Sequence, residues 1–160
     1  MADSYSKIYI HVVFAVKRRE NIISKKWKDE LYKYITGIVT NKGQKLIIIN
    51  GVSDHVHILL GIKPTCMLSD LMRDIKANSS RFINEKGFVK GKFEWQHGFG
   101  AFSVGYSQLD MVCTYIKDQE AHHSKRTFRE EYLDLLKSHE VEYKEEYLFE
   151  DVYDTPPELK

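Results

Sequence analysis

The chain has 160 residues, 42% hydrophobic and 29% charged, which suits a globular domain with a buried core and excludes a disordered chain. No apolar run approaches the roughly eighteen residues of a membrane span, and the start, Met-Ala-Asp-Ser-Tyr-Ser, lacks the basic and apolar regions of a signal peptide. The net charge of +1 hides an asymmetry: ten Lys and Arg face four Asp and Glu in residues 1–50, seven face five in 51–100, and seven face fourteen in 101–160. Cys66 and Cys113 fit no metal or redox spacing and point to a reducing, cytoplasmic setting. A basic body suits a polyanionic partner. One domain is expected over 1–139, followed by an acidic tail over 140–160.

In chain order, residues 5–16 read as a long strand, apolar on both faces and therefore central in its sheet. Ser24 is the expected cap of a helix carrying Trp27, Leu31, Tyr34, Ile35 and Ile38 on its apolar stripe, with Gly43 as its stop. Two strands follow, Lys45–Asn50 and His55–Ile62, joined through Gly51-Val52-Ser53-Asp54. A second helix over 67–86 places Leu68, Leu71, Met72, Ile75, Phe82 and Ile83 on one stripe and ends at Gly87. An aromatic segment, Phe93 to Gln96, precedes a strand over 99–104. Ser107 and Asp110 resemble a capping box opening a third helix, 108–121, and a further helical piece is expected over roughly 124–138. The order β-α-β-β-α-β-α predicts an α+β, ferredoxin-like antiparallel sheet with an added C-terminal helix.

Within that frame, His55-Val56-His57 stands in an apolar strand. Residues two apart on a strand share a face, so both imidazoles point one way and can hold one ion between them. Alone the pair is weak evidence, because two histidines can also be hydrogen-bonded on a half-exposed sheet face. On the third helix, Leu109, Val112, Cys113 and Ile116 form the core stripe, while Tyr115 and Gln119 stack four apart on its shoulder.

Two imidazoles and an amide oxygen would make a three-ligand site with open positions, suited to Mg²⁺ or Mn²⁺ taking substrate oxygens, with Zn²⁺ left open as an alternative. Such an ion polarises a phosphodiester as a Lewis acid. A tyrosine one helical turn from the Gln ligand is then placed as a nucleophile.

With these residues the chain resembles the single-tyrosine HUH transposases of IS200-like insertion sequences and their REP-associated relatives. The resemblance is carried by Tyr5-Ser6-Lys7-Ile8 with His11 to Arg19, by Gly51 to His57, by Trp95-Gln96 with Gly98 to Val104, and by Tyr115 to Gln119 with His122 and His123. It implies His55, His57 and Gln119 as metal ligands and Tyr115 as the nucleophile. It also implies a 5′-phosphotyrosine intermediate, single-stranded or hairpin DNA as substrate, and a homodimer. Asp118 departs from the Asn that many members carry; with His122 it is an expected outer group beside the metal. Lys17, Arg18 and Arg19 after the first strand, and Arg73, Lys76 and Ser80 on the second helix, are the expected DNA contacts. A competing class, a non-catalytic nucleic-acid-binding sheet, would expose aromatics on its central strands; histidines stand there instead.

Overall fold

The computed structural model describes residues 4–144 and Leu148. It contains strands β1 (Ile8–Ala15), β2 (Lys45–Val52), β3 (His55–Ile62) and β4 (Gly100–Val104), and helices α1 (Lys28–Asn41), α2 (Leu68–Lys86), α3 (Leu109–Lys117), α4 (Gln119–His123) and α5 (Phe128–Ser138). The strands form one antiparallel sheet in the order β2-β3-β1-β4. The α+β, ferredoxin-like prediction is therefore met. β1 is central, as its two apolar faces required.

Alternation along β3 divides the molecule. Val56, Ile58 and Leu60 join Val12, Phe14 and the apolar stripes of α1 and α2 in the main core. His55, His57 and Leu59 face the other way, where α3 to α5 cover the sheet through two smaller clusters, one around Phe102, Phe128 and Leu136 and one around Leu59, Val104 and Ile116. The site is built on this second face.

Several boundaries differ from expectation. β1 begins at Ile8 rather than residue 5. Ser24 accepts a hydrogen bond from the Lys26 amide in the turn before α1, so the helix proper starts later, at Lys28. Tyr34 is not core; it is exposed and stacks on Phe82 with ring centroids 4.2 Å apart. Tyr32 and Val39 are buried in that helix. Gly43 at φ 79° does close α1, a conformation costly for other residues.

The largest correction concerns the predicted third helix. Tyr106–Gln108 is a 3-10 turn, so Ser107 lies inside it and does not cap; Gln108 Oε1 accepts from the Gly105 amide instead. The helix then breaks at Asp118 (φ −95°, ψ 26°), which separates α3 from α4. Asn50 of β2 explains the break: its Nδ2 donates to the carbonyls of Ile116 at 3.0 Å and Lys117 at 2.9 Å, groups freed at the end of α3. The next helical piece starts at Phe128, not 124, because Thr127 supplies its cap through Oγ1 to the Glu130 amide at 3.2 Å. The acidic tail expected over 140–160 falls mostly outside the described residues.

Candidate active site

β1 and β3 run antiparallel with Val13 opposite His57 and Ala15 opposite His55. Two residues along β1 from Val13, on the same face, comes His11. The three imidazoles therefore line one patch of sheet, and His11 Nε2 lies 2.8 Å from His57 Nδ1. The β2–β3 turn brings Asp54 to His55, with Oδ1 2.7 Å from Nδ1. Gly51, near the end of β2, is required beside this turn, since a Cβ there would collide with the His55 backbone carbonyl.

Helices α3 to α5 close over the patch. Gln119 Oε1 lies 3.3 Å from His55 Nε2. Glu131 of α5 reaches the centre: its Oε1 is 3.0 Å from His57 Nε2, 3.0 Å from His123 Nε2 and 3.3 Å from His55 Nε2. Its other oxygen accepts hydrogen bonds from the Tyr115 hydroxyl and, at 3.3 Å, from Gln119 Nε2. Arg126 Nη2 donates to the Tyr115 hydroxyl at 3.4 Å. Tyr115 is further held by the His122 ring, stacked 4.6 Å away.

His55, His57, Gln119 and Glu131 are all 0% exposed, so the electrostatics are those of a dry pocket. Burial alone would raise the Glu131 carboxyl, but hydrogen bonds with His123, His55 and His57 outweigh it and hold the group well below the usual carboxylate range. Burial likewise works against the Asp54 carboxylate and is overcome by the bond to His55, so Asp54 stays ionised. Burial lowers His57 to about 4 and His11 to about 3, so both are neutral near pH 7. Burial opposes charge on His55 too, yet its bonds to Asp54 and Glu131 raise it above the ordinary histidine value. Burial, then the bond to Glu131, raises the Tyr115 hydroxyl.

The arrangement of the donors fits a cation at the centre. Asp54 carries no proton, so His55 donates to it through Nδ1–H and, when neutral, aims its Nε2 lone pair at two oxygens, Glu131 Oε1 and Gln119 Oε1. If His57 gives its Nδ1 proton to His11, its own Nε2 lone pair points the same way. Lone pairs meeting in a dry pocket repel unless positive charge lies between them. The ligating atoms of His55, His57, His123 and Glu131 lie within 4.8 Å of one another, against about 4.2 Å across an ion with bonds near 2.1 Å. A small inward adjustment would seat one.

The sequence-predicted set is thus brought together for His55, His57, Gln119 and Tyr115. Of the two expected outer groups, His122 stacks on Tyr115, whereas Asp118 is exposed at the helix break and is not among the groups facing the donors. Sequence reasoning missed Glu131 and Arg126 and left His11 and His123 without roles. His123, four residues after Gln119, could have been found as the next turn of the same face; Glu131 carried no signal, being one acid in an acidic stretch.

The basic residues fall into two grooves. Lys17, Arg73, Lys76 and Ser80 line a groove of about 880 Å³ between α2 and the segment 92–99, floored by Phe93 and Trp95. Trp95 is a core residue there, its Nε1 donating to Ser79 Oγ at 2.9 Å. Lys76 donates to the carbonyls of Gln96 and Gly98, and burial lowers its pKa to about 8. A second groove of about 750 Å³ opens beside His123, with Arg19, Lys25, Lys28, Lys125 and Arg126 on its walls. Arg19 also lies 3.7 Å from Asp54 and over the Phe128 ring. Arg18 is exposed, on the rim of a smaller cavity beside Lys17.

Two solved structures share this fold: a transposase from Deinococcus radiodurans described as putative (TM-score 0.61, 23% identity, 74% of this chain and 95% of that one), and a REP-associated tyrosine transposase bound to a REP hairpin (TM-score 0.58, 15% identity, 77% and 73%). In sequence, the chain is 28% identical over 114 residues to the ISDra2 transposase TnpA of D. radiodurans, covering 68% of this chain and 81% of that protein. It is 27% identical over 114 residues to the transposase of insertion sequence element IS200 from Salmonella typhimurium, covering 68% and 74%. Residues 4–119, from the first strand through the tyrosine and the glutamine, match the family "Transposase IS200 like", and the chain belongs to that family.

Proposed function

We propose that the protein is a metal-dependent transposase that cuts and rejoins single-stranded DNA at hairpin-marked ends through Tyr115. The observation that carries this reading is the Tyr115 hydroxyl lying within one carboxylate of the His55–His57 pair, both held by Glu131. Tyr115 Oη loses its proton to water and attacks the phosphorus, the P–O3′ bond breaks, and the departing 3′ oxygen takes up a proton from water, leaving the DNA with a free 3′-OH and a 5′-phosphate on the tyrosine. His55, His57 and Gln119 would hold Mg²⁺ or Mn²⁺, which supplies Lewis-acid polarisation of the phosphodiester when bound. Arg126 faces the same hydroxyl and favours negative charge on the phenolic oxygen and on the attacked phosphate. The two grooves supply backbone contacts: Lys17, Arg73, Lys76 and Ser80 in one, Arg19 in the other, with Arg18 at a rim. The protein acts in the cytoplasm as a homodimer.

The test incubates the protein with single-stranded hairpin substrates and Mn²⁺ or Mg²⁺ and looks for a protein–DNA adduct that survives denaturation. Adduct is expected with the native protein and none with Tyr115→Phe; an adduct persisting in that variant removes Tyr115 from the role. A second reading, a domesticated enzyme acting on chromosomal repeat hairpins, is favoured by the likeness to a REP-associated transposase solved on its hairpin. Cleavage of repeat hairpins without rejoining of element ends would select it.

A further inference from the structure

We propose that His123 and Glu131, from the two helices that follow the tyrosine, are ligands of the same cation as His55 and His57, and that this donor set selects a transition ion such as Mn²⁺, Co²⁺ or Zn²⁺ over Mg²⁺. The inference rests on the reading above that this pocket binds a divalent ion. It goes beyond that reading by adding two protein ligands to the three named there and by naming the class of ion. Both residues also lie beyond the stretch 4–119 that matches the family.

Three observations carry it. First, three imidazole nitrogens converge on one carboxylate oxygen, Glu131 Oε1, at 3.0, 3.0 and 3.3 Å. A single oxygen rarely serves three ring nitrogens unless the group is built as a coordination shell, and burying a carboxylate without such partners costs several kcal/mol. Second, the helices are fixed so that these side chains point inward. His123 follows Gln119 by four residues on α4, hence on the same face. Phe128 stacks on the His55 ring at 4.1 Å, and Tyr132 sits against Gly100 of β4, which leaves room for α5 to approach. Third, each sheet histidine has its outer nitrogen engaged, His55 by Asp54 and His57 by His11. That is how metal-bound imidazoles are oriented.

The donor chemistry then decides the ion. Mg²⁺ favours oxygen ligands and keeps its waters, whereas imidazole-rich sites suit Zn²⁺ and the later transition ions, Mn²⁺ being the weakest-bound of that series. Three nitrogens and one carboxylate put this pocket in the second class. With the Gln119 oxygen these make five protein donors, which leave room for one substrate oxygen on a six-coordinate ion.

Calorimetric titration of the native protein with Mn²⁺, Zn²⁺ and Mg²⁺, each alone and without DNA, reads the proposal directly. Mn²⁺ is expected to bind at least about tenfold tighter than Mg²⁺. Glu131→Gln and His123→Ala, each checked for folding by circular dichroism, are expected to weaken Mn²⁺ about tenfold or more, as is expected of His57→Ala. Unchanged Mn²⁺ affinity in both variants, with loss in His57→Ala, overturns the proposal and leaves the metal-dependent reading standing. Loss for one residue only overturns the assignment of the other, and equal or tighter Mg²⁺ binding overturns the selectivity. A native protein that binds none of the three ions overturns both readings. Where Glu131→Gln fails to fold, Co²⁺ bound to the native protein decides: intense visible bands are expected from a nitrogen-rich site of low coordination, and the weak spectrum of an oxygen-rich octahedral ion overturns the proposal.

Discussion

His11 and His57 are partnered across the two central strands, ring nitrogen to ring nitrogen at 2.8 Å with the rings stacked 5.0 Å apart. Among the hydrogen bonds of the described residues His11 reaches the site through His57, so it acts on the site chiefly by orienting that ring. His11→Ala is expected to keep the fold, lose about 1–3 kcal/mol by leaving a buried nitrogen unpaired, and weaken metal binding by about 10- to 100-fold. Thermal unfolding and calorimetric metal titration check the two halves separately.

Acid should undo this face of the sheet. His11 and His57 are held neutral, with folded values of about 3 and 4 against an ordinary histidine value of 6.5. Between those values the unfolded chain binds more protons, so stability falls as pH drops below about 6.5. His55 is raised and works in the opposite direction, offsetting part of that loss. A net loss on the order of 2 kcal/mol from pH 7 to pH 5 is expected for the metal-free protein. Denaturant unfolding at the two pH values measures it, and equal midpoints would contradict it.

Asn50 is the only polar side chain of β2 that binds the tyrosine helix among the hydrogen bonds of the described residues, gripping the carbonyls of Ile116 and Lys117. Asn50→Ala is predicted to cost about 1–2 kcal/mol and to cut adduct formation more than about tenfold through a misplaced Tyr115. Metal affinity should fall far less. A matching drop in metal affinity would show that the residue serves the whole pocket instead.

Gly100 admits Tyr132: a Cβ there would lie 2.6 Å from the tyrosine Cε1. Gly100→Val should lift α5 away from the sheet at about 1–3 kcal/mol of overpacking and carry Glu131 out of place. Tyr132→Phe, which keeps the ring, should be tolerated by comparison. Unfolding midpoints and metal titration of both variants decide.

Lys76 carries its charge only below about pH 8. Its contribution to a DNA phosphate should therefore fade between pH 7 and pH 9, while Lys76→Arg, charged throughout, should bind hairpin DNA nearly equally at both. Affinity should also fall steeply with salt in either form. Electrophoretic mobility shifts at the two pH values test this.

How much of this was legible beforehand follows from sequence distance. Strand alternation exposed the face of His55 and His57, and helical spacing paired Tyr115 with Gln119, because both rules act over a few residues. Glu131 was illegible, since its meaning depends on α5 folding back over β3, and nothing local distinguishes it from Glu130. His11 is an intermediate case: its face was readable, but the partner opposite it depended on register. The break at Asp118 was hidden for the same reason, its cause being Asn50 on another strand. That break did not spoil the reading of Tyr115 and Gln119, because Gln119 Nε2 still donates to the Tyr115 carbonyl across it at 3.4 Å.

The convergence of β3, α4 and α5 on one carboxylate oxygen has a consequence for the chain as a whole. These elements share no backbone ladder, so any cation held at that point acts as a removable rivet between the sheet and its C-terminal cover. Folding free energy then becomes a function of free ion concentration, rising by about 2.7 kcal/mol at a hundredfold excess over the dissociation constant. If the pocket holds an ion as proposed, a chelator in the buffer should act on this protein as a mild denaturant.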